Sequence, residues 1–365
     1  MRIAFDARMV ENSGIGTHIR GLLRALARQS RPPELALLGD LNALTRLGFN
    51  RSFVLERHVA PIYSVWAQLT FPRRWKGAAA LHVPHYNVPY RYADPLIVTV
   101  HDLIHLLFPW QTGSAAKIAY ARYTFRQVAR RAAVIFCVSE STRRDVMERL
   151  GVAEERTALL PNAVDEAFQP VNDTARLDRF RRQWNLPREY LLAVGINKPH
   201  KNYPFLLRSL APLWRDKRID APLAIAGCGP AANLRAQIAE LGLADHIRLL
   251  DWVPGADMPL LYQGAAALVF PSTYEGFGLP LLEAQRMGVP VAASDAASLP
   301  EVGGDGAEYF DPYDEESCRH VVARVLTDST LRRALIANGQ TNERRFSWDR
   351  SAERLAALYG SLGGR

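Results

Sequence analysis

The sequence predicts an α/β chain carrying two parallel sheets. Three observations lead there. Apolar runs of four to seven residues recur along the 365-residue chain, many of them ending in Gly, Asp, Pro or Ser. Longer amphipathic stretches separate these runs. A polar, charged break at residues 167–190 divides them into two sets. Strands buried on both faces of a parallel sheet read as near-continuous apolar runs, and the crossovers between them are usually helices.

The first set is RIAFDA, ELALLGD, AALHVPH, PLIVTVHD, AVIFCVS and RTALLPNAV. The second is YLLAVG, PLAIAGCG, IRLLDWV, AALVFPS, PVAASD and AEYFDP. The break between them has no buried-strand pattern and carries Pro170 and Pro187 near its ends. The predicted domains are therefore residues 1–170 and 171–346. The last segment, FSWDRSAERLAALYGSL, reads as a helix opened by the polar cap Ser347.

Composition narrows the class. With 48% hydrophobic residues the chain can fill real cores, so disorder is excluded. It contains no run of about 20 apolar residues, the length a membrane-spanning helix requires. Asp6 interrupts the opening MRIAFDARMV after three apolar residues, so this reads as a first strand rather than a signal peptide. Cys137, Cys228 and Cys318 lack metal or redox spacing and are expected to be free thiols of a cytoplasmic protein. The excess of 45 Lys+Arg over 37 Asp+Glu suits a polyanionic partner.

Open parallel sheets bind ligands where strands end and helices begin. After the first run, Gly14 and Gly16 bracket Ile15 ahead of a helical pattern from Thr17. This is either an anion site at a helix start or a plain tight turn, and Ile19 stands where a dinucleotide fingerprint needs its third glycine. After YLLAVG, Lys198, His200 and Lys201 follow Gly195, placed either to meet a diphosphate or as solvated charge. After AALVFPS come Glu275, the turn Gly276-Phe277-Gly278, Leu279, and Glu283 in the helix that follows. Pro280 suits that helix's first turn, and Gly288 its end. Two carboxylates here can accept from neighbouring hydroxyls of one ligand, as sugars and riboses offer. The plainer alternative is a cap and a solvated helix face.

EGFGLPLLEA followed by GVPVAASD resembles the E-x7-E motif of retaining glycosyltransferases of family 4 with the GT-B fold. The similarity continues through DARMVENSGIGTHIRGLL, TVHDLIHLLFP, FCVSESTRRDV, LPNAVD, DWVPGADMPLLYQGAAALVFPS and SLPEVGGDGAEYFDP, over most of the chain. The resemblance implies two Rossmann-like domains facing across a cleft, with residues 347–365 crossing back to the first. It implies a nucleotide-sugar donor on the second domain, an acceptor on the first, retention of configuration, and no metal or other cofactor. On that pattern Glu275 holds sugar hydroxyls and Glu283 the ribose. The amides of Gly276, Phe277 and Gly278, with Leu279, line the sugar and phosphates. Lys201 neutralises the diphosphate, Gly195, Lys198 and His200 complete its corner, and Gly16 approaches a phosphate. His101 touches the sugar or leaving group, or else packs against Asp102 in the core. Val253 meets the base. Many relatives carry arginine where this chain has Ile196 or His200, so the second phosphate contact departs from the pattern.

The wording IAFDAR, GIGTHIRGLL, TVHDLIH and KPHKN is similar to bacterial mannosyltransferases of polysaccharide assembly, which favours GDP-mannose as donor and a saccharide or lipid-linked saccharide as acceptor. UDP- or dTDP-sugar transfer and nucleotide-sugar epimerisation are the alternatives. Residues 42–78 hold six basic residues and one acidic, with Trp66, Phe71 and Trp75 among them. Arg122, Arg126 and Arg130 share a helix face in residues 111–139, which contain no acidic residue. This basic surface is either solvated or a peripheral contact with anionic lipid at the inner face of a membrane. Base-stacking and groove-reading motifs are missing, so nucleic acid is not expected as a partner.

Overall fold

All twelve apolar runs form strands, and the structure adds a thirteenth among the described residues. The structure, a computed structural model, describes residues 2–362. The first-half strands are β1 (Arg2–Asp6), β2 (Leu35–Gly39), β3 (Val54–Arg57), β4 (Ala78–Val83), β5 (Leu96–Val100), β6 (Ala132–Cys137) and β7 (Thr157–Leu159). Those of the second half are β8 (Tyr190–Val194), β9 (Leu223–Ala226), β10 (Ile247–Leu250), β11 (Ala265–Phe270), β12 (Val291–Ser294) and β13 (Ala307–Phe310). They build a sheet of order β3-β2-β1-β4-β5-β6-β7 and another of order β10-β9-β8-β11-β12-β13. Every pairing is parallel.

The unexpected strand is β3. It sits at the sheet edge, and its VLER sequence has no buried residue. An edge strand that is only partly covered, with Leu55 alone packing on the core, needs no continuous apolar run, so its composition does not mark it.

The chain divides into two compact units, Met1–Ala163 with Phe346–Arg365, and Val164–Arg345. The stretch read as a connection lies in the second unit and contains the helix Thr174–Gln183. The helix Trp348–Leu362 belongs to the first unit, where it packs on the helix Gly14–Arg28. A Cβ on Gly21 would lie 2.2 Å from the Trp348 ring, so only glycine admits that indole. Deeper in the same core, Tyr359 shares a 2.6 Å hydrogen bond with Nδ1 of His82 in β4.

Helix Gly14–Arg28 begins three residues before the expected start, so Gly14 and Gly16 lie in its first turn rather than in a loop. A Cβ on Gly16 would stand 2.7 Å from the Val10 carbonyl and 2.9 Å from that of Met9. The absence of a side chain there is accounted for by close packing on the preceding turn.

The order of each sheet reverses direction once, between β1 and β4 in the first unit and between β8 and β11 in the second. Such reversals open a crevice beyond the strand ends. Lys201 follows β8 and Glu275 follows β11, so both occupy the reversal point of the second sheet.

No described helix is long and apolar enough to cross a membrane.

Candidate active site

In the second unit, β8 leads through Gly195 into the single-turn helix Pro199–Lys201, and β11 leads into the 271–278 loop. The two segments are stitched together. The Thr273 amide donates to the His200 carbonyl at 2.8 Å. Lys201 Nζ lies 2.7 Å from Glu275 Oε1, with side chains 14% and 15% exposed. The ammonium also stands 4.7 Å from the centre of the Phe270 ring. Two residues expected to serve different parts of a ligand are thus each other's counter-ions.

Gly195 accommodates this pair. Its φ is +136°, and a Cβ there would meet Lys201 Cε at 2.9 Å. Its amide donates to Ala226 and its carbonyl accepts from Tyr203, which fixes the corner over which the lysine chain runs. Lys198 is exposed just before the turn, whereas His200 is buried. In this structure His200 joins the two loops through its carbonyl.

Ser298 pins the turn after Glu275. Its buried hydroxyl lies 2.9 Å from the carbonyls of both Glu275 and Phe277. Gly276, Phe277 and Gly278 are all buried. Gly278 has φ +95°, and a Cβ there would come within 2.6 Å of Leu299. Leu279 then opens the helix Leu279–Arg286, with Pro280 in its first turn. A helix N-terminus carries partial positive charge, which suits an anionic ligand group.

Glu283 is partly buried on that helix. Burial pushes its carboxyl up to about 7, while a hydrogen bond from Tyr262 pulls it down and Asp165 pushes it further up. The Tyr262 hydroxyl reaches Glu283 Oε2 at 2.6 Å. Val253 is buried after β10, two strands from β8.

In the first unit, His101 follows β5 and donates from Nε2 to the Pro84 carbonyl at 3.0 Å. Burial pushes its imidazole down to about 4, so it is neutral at pH 7 and Nδ1 is its acceptor. The His18 ring meets it edge-on at 4.8 Å and is itself held by Asn162 at 2.7 Å. At the reversal point of this sheet, Asp6 accepts two hydrogen bonds from the Arg8 guanidinium, and both side chains are almost wholly buried. Despite the cost of burying Asp6, the Arg8 charge holds its carboxyl well below the usual range. His85 Nε2 lies 3.4 Å from the same carboxylate.

Sequence reasoning did not single out Tyr262, Ser298, His18, His85 or the Asp6–Arg8 pair. His18 left a trace, a polar residue inside the apolar stripe of Ile19, Leu22, Leu23 and Leu26. Tyr262 left none, because a tyrosine beside LL reads as core. Among the described residues no group of three or more His, Cys, Asp or Glu is placed to hold a metal ion.

Residues 12–168 match the family described as "Glycosyltransferase Family 4", and residues 175–342 that described as "Glycosyl transferases group 1". The O-antigen chain mannosyltransferase B of Escherichia coli is 29% identical over 286 residues, 77% of this chain and 74% of that protein. The serotype-specific mannosyltransferase WbdA of Escherichia coli is 31% identical over 277 residues, 74% of this chain but only 33% of the longer relative. The structure of Anabaena Alr3699/HepE in complex with UDP and glucose superposes with a TM-score of 0.76, 18% identity, and coverage of 99% of this chain and 100% of that one. That likeness speaks for the fold, and the two family matches between them span most of the sequence. With two parallel sheets, a C-terminal helix in the first unit and paired glutamates around a pinned glycine turn, the chain belongs to the family 4 glycosyltransferases of GT-B fold.

Proposed function

We propose that the chain transfers a hexose, mannose from GDP-mannose, to a saccharide or lipid-linked saccharide in the assembly of a cell-surface polysaccharide, with retention of configuration and without a metal ion. The observation that carries this reading is the Lys201–Glu275 pair at the reversal point of the second sheet, with Glu283 in the helix that follows the Glu275 turn. The mannosyl donor is supported by the names of the two Escherichia coli relatives, both mannosyltransferases.

In this reading Glu275 accepts from sugar hydroxyls and Glu283 from the ribose. Lys201 meets the diphosphate, with Lys198 and the His200 turn beside it and Val253 against the base. Gly276, Phe277, Gly278 and Leu279 bring backbone close to the sugar and phosphates. Breaking the bond between the sugar carbon and the diphosphate oxygen leaves negative charge on that oxygen. Fixed donors and a cation stabilise that charge most where water is excluded. His101, neutral with Nδ1 as its acceptor, serves a sugar hydroxyl from the first unit, and Gly16, in the first turn of helix Gly14–Arg28, approaches a phosphate.

The test is the stereochemistry of the product together with its metal dependence. Proton NMR is expected to show the donor's anomeric configuration kept, with activity unchanged in excess chelator. An inverted product, or activity lost to chelator and restored by magnesium, counts against the reading. An isomerised donor formed without acceptor assigns the chain to epimerisation. Thermal shifts with GDP-, UDP- and dTDP-sugars decide the base.

The first unit also presents a surface that fits peripheral contact with anionic lipid. Arg122, Arg126 and Arg130 lie on the exposed face of helix Ala115–Arg131, opposite buried Ala121, Phe125 and Val128. Trp110 is 70% exposed nearby and shares an apolar groove with Ile118, Tyr123, Arg122 and Arg126. Exposed basic residues beside an interfacial aromatic favour a negatively charged bilayer surface. Flotation is expected with phosphatidylglycerol vesicles at about 0.1 M salt, and it should weaken as salt screens the arginines. Equal recovery with neutral and anionic vesicles rejects this contact.

A further inference from the structure

Tyr262 lies in the helix Met258–Gln263, which enters β11, and Glu283 in the helix that follows the turn leaving it. The tyrosine is completely buried, yet it carries a polar hydroxyl, and that hydroxyl is spent on Glu283. Its ring is held from the other side. Phe168 meets it edge-on at 5.6 Å, and the neighbouring Gln263 exchanges hydrogen bonds of 2.7 and 2.9 Å with the Val171 backbone. A rigidly held phenol aimed at one carboxylate oxygen leaves the other oxygen as the available acceptor and fixes the plane of the group.

We propose that Tyr262 is a positioning residue for donor binding, its hydroxyl fixing Glu283 as the acceptor of the ribose hydroxyls. This rests on the reading of Glu283 as the ribose ligand. Ribose hydroxyls donate, so they bind the carboxylate, a charged acceptor, more strongly than the acid. Burial favours the acid, and the Tyr262 hydrogen bond opposes it. Asp165, from the segment that also carries Phe168, adds to the push toward the acid. Tyr203 acts on Tyr262 from the helix Tyr203–Arg215. On the helix of Glu283, Arg286 is engaged by Glu343. Among the described groups acting on Glu283, Tyr262 is thus the one that favours its charged form.

Tyr262→Phe keeps the ring and deletes the hydroxyl. GDP-mannose is the probe, since its diphosphate does not titrate near neutrality. Its affinity is measured by calorimetry from pH 6 to 8.5 for wild type, Tyr262→Phe and Glu283→Gln. Wild-type affinity is expected to fall below about pH 7, the value to which Glu283 is pushed. The Tyr262→Phe curve should have the same shape, displaced upward by about one pH unit, the equivalent of one charge-assisted hydrogen bond. Its affinity is then about tenfold weaker at pH 6 and within about twofold of wild type at pH 8.5, while kcat at saturating donor stays close to wild type. A curve superimposed on wild type, or lowered equally at every pH, overturns the proposal. Glu283→Gln isolates the underlying reading: if it binds GDP-mannose normally with the wild-type pH profile, Glu283 is not the ribose ligand. A second measurement needs no ligand. The carboxyl carbon of Glu283, identified by its disappearance in Glu283→Gln, should titrate about one unit higher in Tyr262→Phe, and an unmoved midpoint also overturns the proposal.

Discussion

Lys201→Ala is expected to lower kcat/KM for the donor by roughly 10² to 10³-fold and to weaken the free nucleoside diphosphate as well. The lysine is the cation at the reversal point of the second sheet, held 2.7 Å from Glu275 with little exposure. Its removal subtracts the charge proposed to meet the diphosphate and also leaves the Glu275 carboxylate without its counter-ion. Glu275→Ala should behave differently. On the proposed role it removes contacts to the sugar, which gains positive charge as the bond breaks, so kcat is expected to fall by about 10² if some 3 kcal/mol of differential stabilisation is lost. The nucleoside diphosphate lacks the sugar. It should bind Glu275→Ala at least as well as wild type, because Lys201 no longer has a competing partner. Calorimetry with GDP and steady-state kinetics on the same folded variants separate the two. Nucleotide affinity lost in Glu275→Ala and kept in Lys201→Ala reverses the assignment. The double variant should fall short of the product of the single effects, since residues in direct contact are not additive.

Glu283→Gln is expected to stabilise the protein above pH 7 while impairing donor binding. In the folded chain the Glu283 carboxyl is pushed from 4.5 to about 7. Between those values the unfolded state has released its proton and the folded state still holds one. Folded stability therefore declines as pH rises through this window, and the full deficit is present above it. The deficit is on the order of 3 kcal/mol. A neutral amide removes it, so the variant's melting temperature at pH 8 should rise by about 5 °C, with little change at pH 4.5. Calorimetric scans at both values test the sign. A variant melting lower than wild type at pH 8 would show that this carboxylate is not under strain. Retention of such a residue fits a functional site, where stability and activity pull in opposite directions.

Much of this architecture was legible because double-sided burial writes itself into composition. β1, β5, β8 and β11 are short apolar runs, and the proposed site residues His101, Lys201 and Glu275 follow β5, β8 and β11. β3 escaped because a partly covered edge strand carries no such pattern. The start of helix Gly14–Arg28 was misplaced because two glycines read as a turn, whereas Gly16 answers to a close approach of backbone that only coordinates reveal. Glu275 and Glu283 were visible as charges flanked by apolar sequence, and Lys201 as one of a basic cluster at a strand-to-helix corner. The pairing of Lys201 with Glu275 was not, since it joins residues 74 positions apart. Tyr262 and Ser298 were hidden for a related reason: each acts through one buried hydroxyl, and nothing local distinguishes such a group from ordinary packing.

The return of helix Trp348–Leu362 to the first unit makes the second unit, in chain order, an insertion within the first. The second unit is complete once residue 345 has been synthesised. The first is not, although its seven strands have all been made by residue 159. Until the last segment emerges, Gly21 faces the space reserved for Trp348, and His82 lacks Tyr359. A nascent chain must therefore carry an unfinished hydrophobic surface through the making of the entire insert, and a chain stopped anywhere before Phe346 keeps that surface permanently. Exposed apolar surface of this kind is what chaperones and proteases act on. Completion of the first unit's core is thus conditional on the second unit having been made.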